Sequence, residues 1–118
     1  MKNLILLIAV MVLSAYATTS TVKSVTGAYE HKRGEDTFRM VFLENGISER
    51  YANGKKEEKE GKWKISEEGE LHDTYSNRYI WVYRINKDGS ITIIARIDAD
   101  GKREEAPKDK QMTFKKIK

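Results

Sequence analysis

Turn signals punctuate most of this chain, at Glu44-Asn45-Gly46, Asn53-Gly54, Glu68-Gly69, Ser76-Asn77, Asp88-Gly89 and Asp100-Gly101. Asn-Gly and Asp-Gly tolerate the positive φ that type I′ hairpin turns require. Between the turns lie short runs rich in β-branched and aromatic residues: Phe38 to Leu43, Ile47 to Ala52, Lys62 to Ile65, Arg78 to Ile85, Ile91 to Ile97 and Met112 to Ile117. None keeps a helical period. Ile91, Ile93, Ala95 and Ile97 alternate with Thr92, Ile94, Arg96 and Asp98, the pattern of a strand with one packed face and one mostly wet face. The expected class is all-β.

The chain also resembles itself. Gly27-Ala28-Tyr29 leads to Phe38-Arg39-Met40-Val41-Phe42, a turn ending in Gly46, a strand, Asn53-Gly54-Lys55-Lys56-Glu57-Glu58 and Trp63-Lys64-Ile65. Gly69-Glu70-Leu71 leads to Tyr79-Ile80-Trp81-Val82-Tyr83, a turn ending in Gly89, a strand, Asp100-Gly101-Lys102-Arg103-Glu104-Glu105 and Phe114-Lys115-Lys116-Ile117. Two similar halves of about four strands each predict an antiparallel up-and-down meander of about eight strands. Closure into a barrel would remove the unpaired edges; an open bent sheet or a small sandwich is the alternative. The sole proline, Pro107, falls in a charged stretch suited to a loop or an edge.

Composition matters once the N-terminus is set apart. Of the hydrophobic residues, 39% of the 118, 14 fall in the first 17 positions. There Lys2 precedes the apolar run Leu4 to Leu13 and the small-x-small site Ala15-Tyr16-Ala17, the pattern of a cleaved secretory signal over 1–17. A ten-residue run is too short to span a bilayer core of about 30 Å. Tyr16 stands where lipidation would need a cysteine thiol. The expectation is an exported protein, periplasmic or extracellular, with a lead-in at 18–26 and one domain at 27–118. The chain has no cysteine, so disulfides, thiol catalysis and cysteine-ligated metal are excluded.

The Gly27-x-Tyr29 pair, Phe42 before Asn45-Gly46, Gly61-Lys62-Trp63-Lys64-Ile65, Gly69-Glu70-Leu71 and the closing Thr113-Phe114-Lys115-Lys116-Ile117 resemble small exported bacterial lipocalin-like proteins. That resemblance spans roughly residues 25 to 118. It implies a small lipocalin-like β-barrel that binds a small apolar or aromatic-compatible ligand. Tyr29 stands where lipocalins commonly have Trp, and the short strands favour a barrel filled largely by its own side chains.

The ligand-binding candidates are the rings and thioether of two strands that are apolar on both faces: Tyr79, Trp81 and Tyr83, and Phe38, Met40 and Phe42, with Trp63. Arg78 and Arg84 flank the former run. If its ring face were exposed, it would serve as a contact platform for an envelope protein or glycan. His31 and His72, with Asp36 and Asp73 near them in sequence, read as ordinary exposed strand residues, so neither a metal nor another cofactor is expected. No ordered nucleophile, base and acid arrangement is recognisable, and the chain is read as a non-enzyme. The Lys- and Glu-rich stretches from Lys55 and from Gly101 read as solvated hairpins. Their mixed charge argues against a nucleic-acid partner, and the net charge of +4 for the whole chain is too small to define a function.

Overall fold

The computed structural model describes residues 25–75 and 78–118. The signal segment, most of the lead-in and the Ser76-Asn77 turn lie outside the described residues. In the first half the strands are β1 (Gly27–Arg33), β2 (Asp36–Phe42), β3 (Ile47–Ala52), β4 (Lys55–Lys56) and β5 (Gly61–Ile65). The second half contains β6 (Leu71–Tyr75), β7 (Tyr79–Ile85), β8 (Ile91–Ile97), β9 (Arg103–Glu105) and β10 (Thr113–Lys116). Pro107 opens a 3-10 turn at Lys108–Lys110, within the longest insertion of the second half.

Antiparallel pairing runs β1, β2, β3, β5, β6, β7, β8, β10 and back to β1. The result is a closed eight-stranded up-and-down barrel. β4 pairs only with β3, and β9 only with β8, as side hairpins. The two halves repeat in space as they do in sequence. Phe42 meets Trp63 edge to face at 5.9 Å, and the corresponding Tyr83 and Phe114 meet at 6.3 Å with nearly the same interplanar angle. A Phe42–Tyr83 contact at 6.1 Å joins the halves. With Tyr29 matched to Leu71, His31 corresponds to Asp73 rather than to His72.

Turn geometry departs from expectation in an informative way. At Leu43–Ile47 the Leu43 amide donates to the Ile47 carbonyl and the Gly46 amide to the Leu43 carbonyl, and the same pair of bonds recurs at Ser66–Glu70, Asn86–Ser90 and Asp98–Lys102. Each is a wider hairpin needing one positive φ, supplied by its glycine. Among the described residues only Asn53-Gly54, with φ of 52° and 82°, has the two consecutive positive values of a type I′ turn.

The alternation expected in β8 also breaks. A bulge opposite Val82 and Tyr83 pairs Tyr83 with Ile93 but Val82 with Ala95. One extra residue reverses the faces beyond it. Ile91 and Ile93 therefore point inward with Tyr83, whereas Ala95 and Ile97 go outward with Val82 and Ile80. Val82 and Ala95 are nonetheless fully buried. Over this outer face Arg103 of β9 reaches back to Glu70, before β6, with two bonds of 2.9 Å. The guanidinium draws the Glu70 carboxyl down to about 2, and the stems of such long side chains cover apolar surface while their charges stay wet.

Candidate functional site

The barrel is sealed at the end where the chain enters β1. Tyr29, Phe42, Leu71, Tyr83 and Ile91 are each at most 1% exposed there. Val25 closes the end, its carbonyl accepting a 2.6 Å bond from the Tyr29 hydroxyl. Trp63 donates its indole N–H to the Leu43 carbonyl at 2.8 Å, so the largest ring has its polar atom satisfied. Burial raises the Tyr29 hydroxyl to about 12.

At the opposite end the wall loosens. β3 pairs with β5 only through Ile47 and Ser48, and β8 with β10 only through Ile91 and Thr92. Beyond those positions β3 and β8 stay paired with β2 and β7, but on their other sides they turn to the side hairpins with β4 and β9, after one more bond from the Ile93 amide to the Met112 carbonyl at 2.9 Å. The interior there is a cavity of about 280 Å³. Phe38, Met40, Trp81 and Ile93 form its apolar walls, with Met112 at one side and Tyr83 and Phe114 toward the closed end. Arg33, Arg39, Arg50, Tyr51 and Glu57 supply its polar lining.

Arg50 enters this interior because β3 pairs it with Met40, an inward residue of β2. Its guanidinium lies over the Tyr75 ring at 4.0 Å and donates through Nη2 to Asp73 at 3.4 Å. Asp73 is fully buried and accepts a 2.5 Å bond from the Ser48 hydroxyl. Desolvation pushes its carboxyl above the ordinary range, against the opposing pull of Ser48 and Arg50. Gly61 makes the close approach possible: a Cβ there would stand 2.8 Å from Asp73 Oδ1 and 2.9 Å from the Thr74 carbonyl.

Of the seven ring and thioether residues singled out from sequence, the cavity brings together Phe38, Met40, Trp81 and Tyr83. Phe42 and Trp63 lie in the sealed end. Tyr79 sits beneath the Arg96 guanidinium, 4.6 Å from its ring centre, with Trp81 beside it at 6.4 Å. The Tyr79, Trp81 and Tyr83 face therefore looks into the barrel and presents no outer platform. Arg50, Ile93, Met112 and Phe114 escaped the sequence reading. Ser48-Glu49-Arg50-Tyr51 is polar on both faces, which conceals the inward arginine.

The two histidines are half-buried rather than exposed. His31 hydrogen-bonds the Thr113 carbonyl at 2.9 Å and packs on Phe114, while His72 lies 3.3 Å from Glu70. A more polar cleft beside the cavity, sharing Arg33 and Met112 with it, holds His31 and Asp109 among Lys32, Lys110 and Gln111. Among the described residues no three His, Asp or Glu side chains are grouped to hold a metal ion, and no helix is long and apolar enough to cross a membrane. Comparison with known proteins finds no matching family model and no matching curated protein.

Proposed function

We propose that this chain is an exported lipocalin-like binding protein that holds a small apolar or aromatic-compatible ligand in the open end of its barrel and performs no chemistry on it. The observation that carries this reading is the apolar cavity between Phe38, Met40 and Trp81, backed by a sealed aromatic floor. Binding pockets are typically concave and mostly apolar, with a few polar groups that fix orientation, and this interior has that composition. The volume suits a ligand of modest size. Export, to the periplasm or beyond, follows from the signal-like N-terminus and belongs to the same proposal.

Native mass spectrometry of protein purified from its host, together with titration of the neutral aromatic 2-naphthamide followed by tryptophan fluorescence, tests the reading. A retained small-molecule adduct and a saturable change from Trp81 are expected. Absence of both an adduct and a saturable signal would overturn it.

A further inference from the structure

The barrel interior contains a cation that its own contacts leave underused. Arg50 lines the cavity with its side chain 20% exposed. Its face rests on the Tyr75 ring, but among the described residues its one hydrogen bond, from Nη2 to Asp73, is 3.4 Å, long beside the 2.7–2.9 Å of a good charge-assisted bond. Nε is buried with no partner among the described residues. A buried donor left without a partner carries a desolvation cost, and the guanidinium as a whole is stabilised by an anion placed beside its exposed edge. Asp73 is a weak internal competitor, because burial favours its neutral form and the Ser48 hydroxyl already bonds Oδ1.

The surrounding charge has the same sense. Arg33 and Arg39 join Arg50 in the lining, against Glu57 alone. Arg39 is held by Glu30 at 3.5 Å, outside the cavity, and Arg33 is exposed at the end of β1, which leaves Arg50 as the partly buried cation of the lining. A guanidinium presents a planar fork of donors that matches a carboxylate better than it matches a neutral acceptor.

We infer that the cavity selects small amphipathic monocarboxylates, with the apolar body between Phe38, Met40 and Trp81 and the carboxylate paired with Arg50. This rests on the ligand-binding reading above and adds the chemical class of the ligand. The carboxylate could sit on a flat ring or on an alkyl chain, and the probes separate the two sources.

Isothermal titration calorimetry is run with 2-naphthoate and 2-naphthamide, and with decanoate and decanamide, on the purified barrel and on the Arg50→Gln and Asp73→Asn variants. In the parent protein, the acid of at least one pair binds about ten- to hundredfold more tightly than its amide. R50Q abolishes that ratio, because the acid loses far more affinity than the amide does. D73N, by removing the competing carboxylate, tightens acid binding by about threefold. Should R50Q fold poorly, the acid-to-amide ratio in the parent protein still decides, because a cavity without a carboxylate partner binds both forms alike. Equal affinity for acid and amide in both pairs would overturn the inference and leave the ligand-binding reading standing. No binding by any of the four probes would overturn both.

Discussion

The same strands build two unlike ends. Toward the β1 entrance, β2 contributes Phe42 and β7 contributes Tyr83, and their rings interlock with Trp63 and Phe114. Four residues earlier on β2 and two earlier on β7, Phe38 and Trp81 border an open space. Local composition does not separate the ends, since both are aromatic. The difference lies in pairing: β5 and β10 are in register with β3 and β8 only near the closed end, so only there is the wall continuous. Where the wall parts, the side chains lack opposing neighbours and the packing is incomplete. One end is a closed aromatic core, and the other holds the space on which the proposed binding rests.

The sharpest way to break this contrast is to truncate one ring at each end. Phe42→Ala should cost about 3–5 kcal/mol, because it empties a closed, rigid site. Phe38→Ala should cost about 1–2 kcal/mol, because its ring already borders space. Urea denaturation measures both, and equal costs would erase the distinction between the ends.

Next in size is Trp81→Ala, expected to weaken 2-naphthamide binding about tenfold through loss of ring contact. The same variant should lower stability less than Phe42→Ala does. Fluorescence of the remaining Trp63 would not report the binding, so calorimetry is the measurement.

Two carboxylates then give opposite responses to pH. Glu70, held at about 2 by Arg103 against an ordinary 4.5, contributes stability that is present above 4.5 and lost as pH falls toward 2. Glu70→Gln should cost about 1 kcal/mol at neutral pH, a value limited by the partial exposure of the pair, and the cost should vanish in acid. Asp73 has the reverse sign, because burial raises it above 3.8 and its ionisation opposes folding. Asp73→Asn should therefore gain on the parent, by less than about 1 kcal/mol, as pH rises from about 3 to about 7. Thermal melts across that range would show whether the outer clamp and the interior carboxylate differ as described.

Much of this architecture was legible in the sequence because turn chemistry and strand composition are local. The strand at Ile91–Ile97 falls where its β-branched run lies and the one at Ile47–Ala52 falls between its two Gly turns, and the repeat emerged from shared turn and ring order. Closure is the economical expectation from the cost of unpaired edges, but an open bent sheet is equally compatible with the turns, and the pairings of β10 with β1 and β8 decide it. The β8 bulge was not legible, since no local pattern marks where two residues face one, and it moved Ala95 from the expected inner face to the outer. The candidate site was half legible. Phe38, Met40, Trp81 and Tyr83 announced themselves as apolar, but Phe42 and Trp63 look the same in sequence, and only register assigns them to the sealed end. Arg50 was hidden because its inward direction depends on pairing with Met40, a contact made across the chain rather than along it.

The most direct measurement uses the methionine methyl groups. After residue 17 the chain has only Met40 and Met112, and both line the cavity. With ¹³C-methyl labelling of methionine and of Leu71 and Ile91 in the sealed end, 2-naphthamide is titrated by NMR. The account predicts saturable shifts and ligand contacts at Met40 and Met112, with Leu71 and Ile91 nearly unmoved. Shifts confined to the sealed end, or no methyl shift at saturating probe, would contradict it.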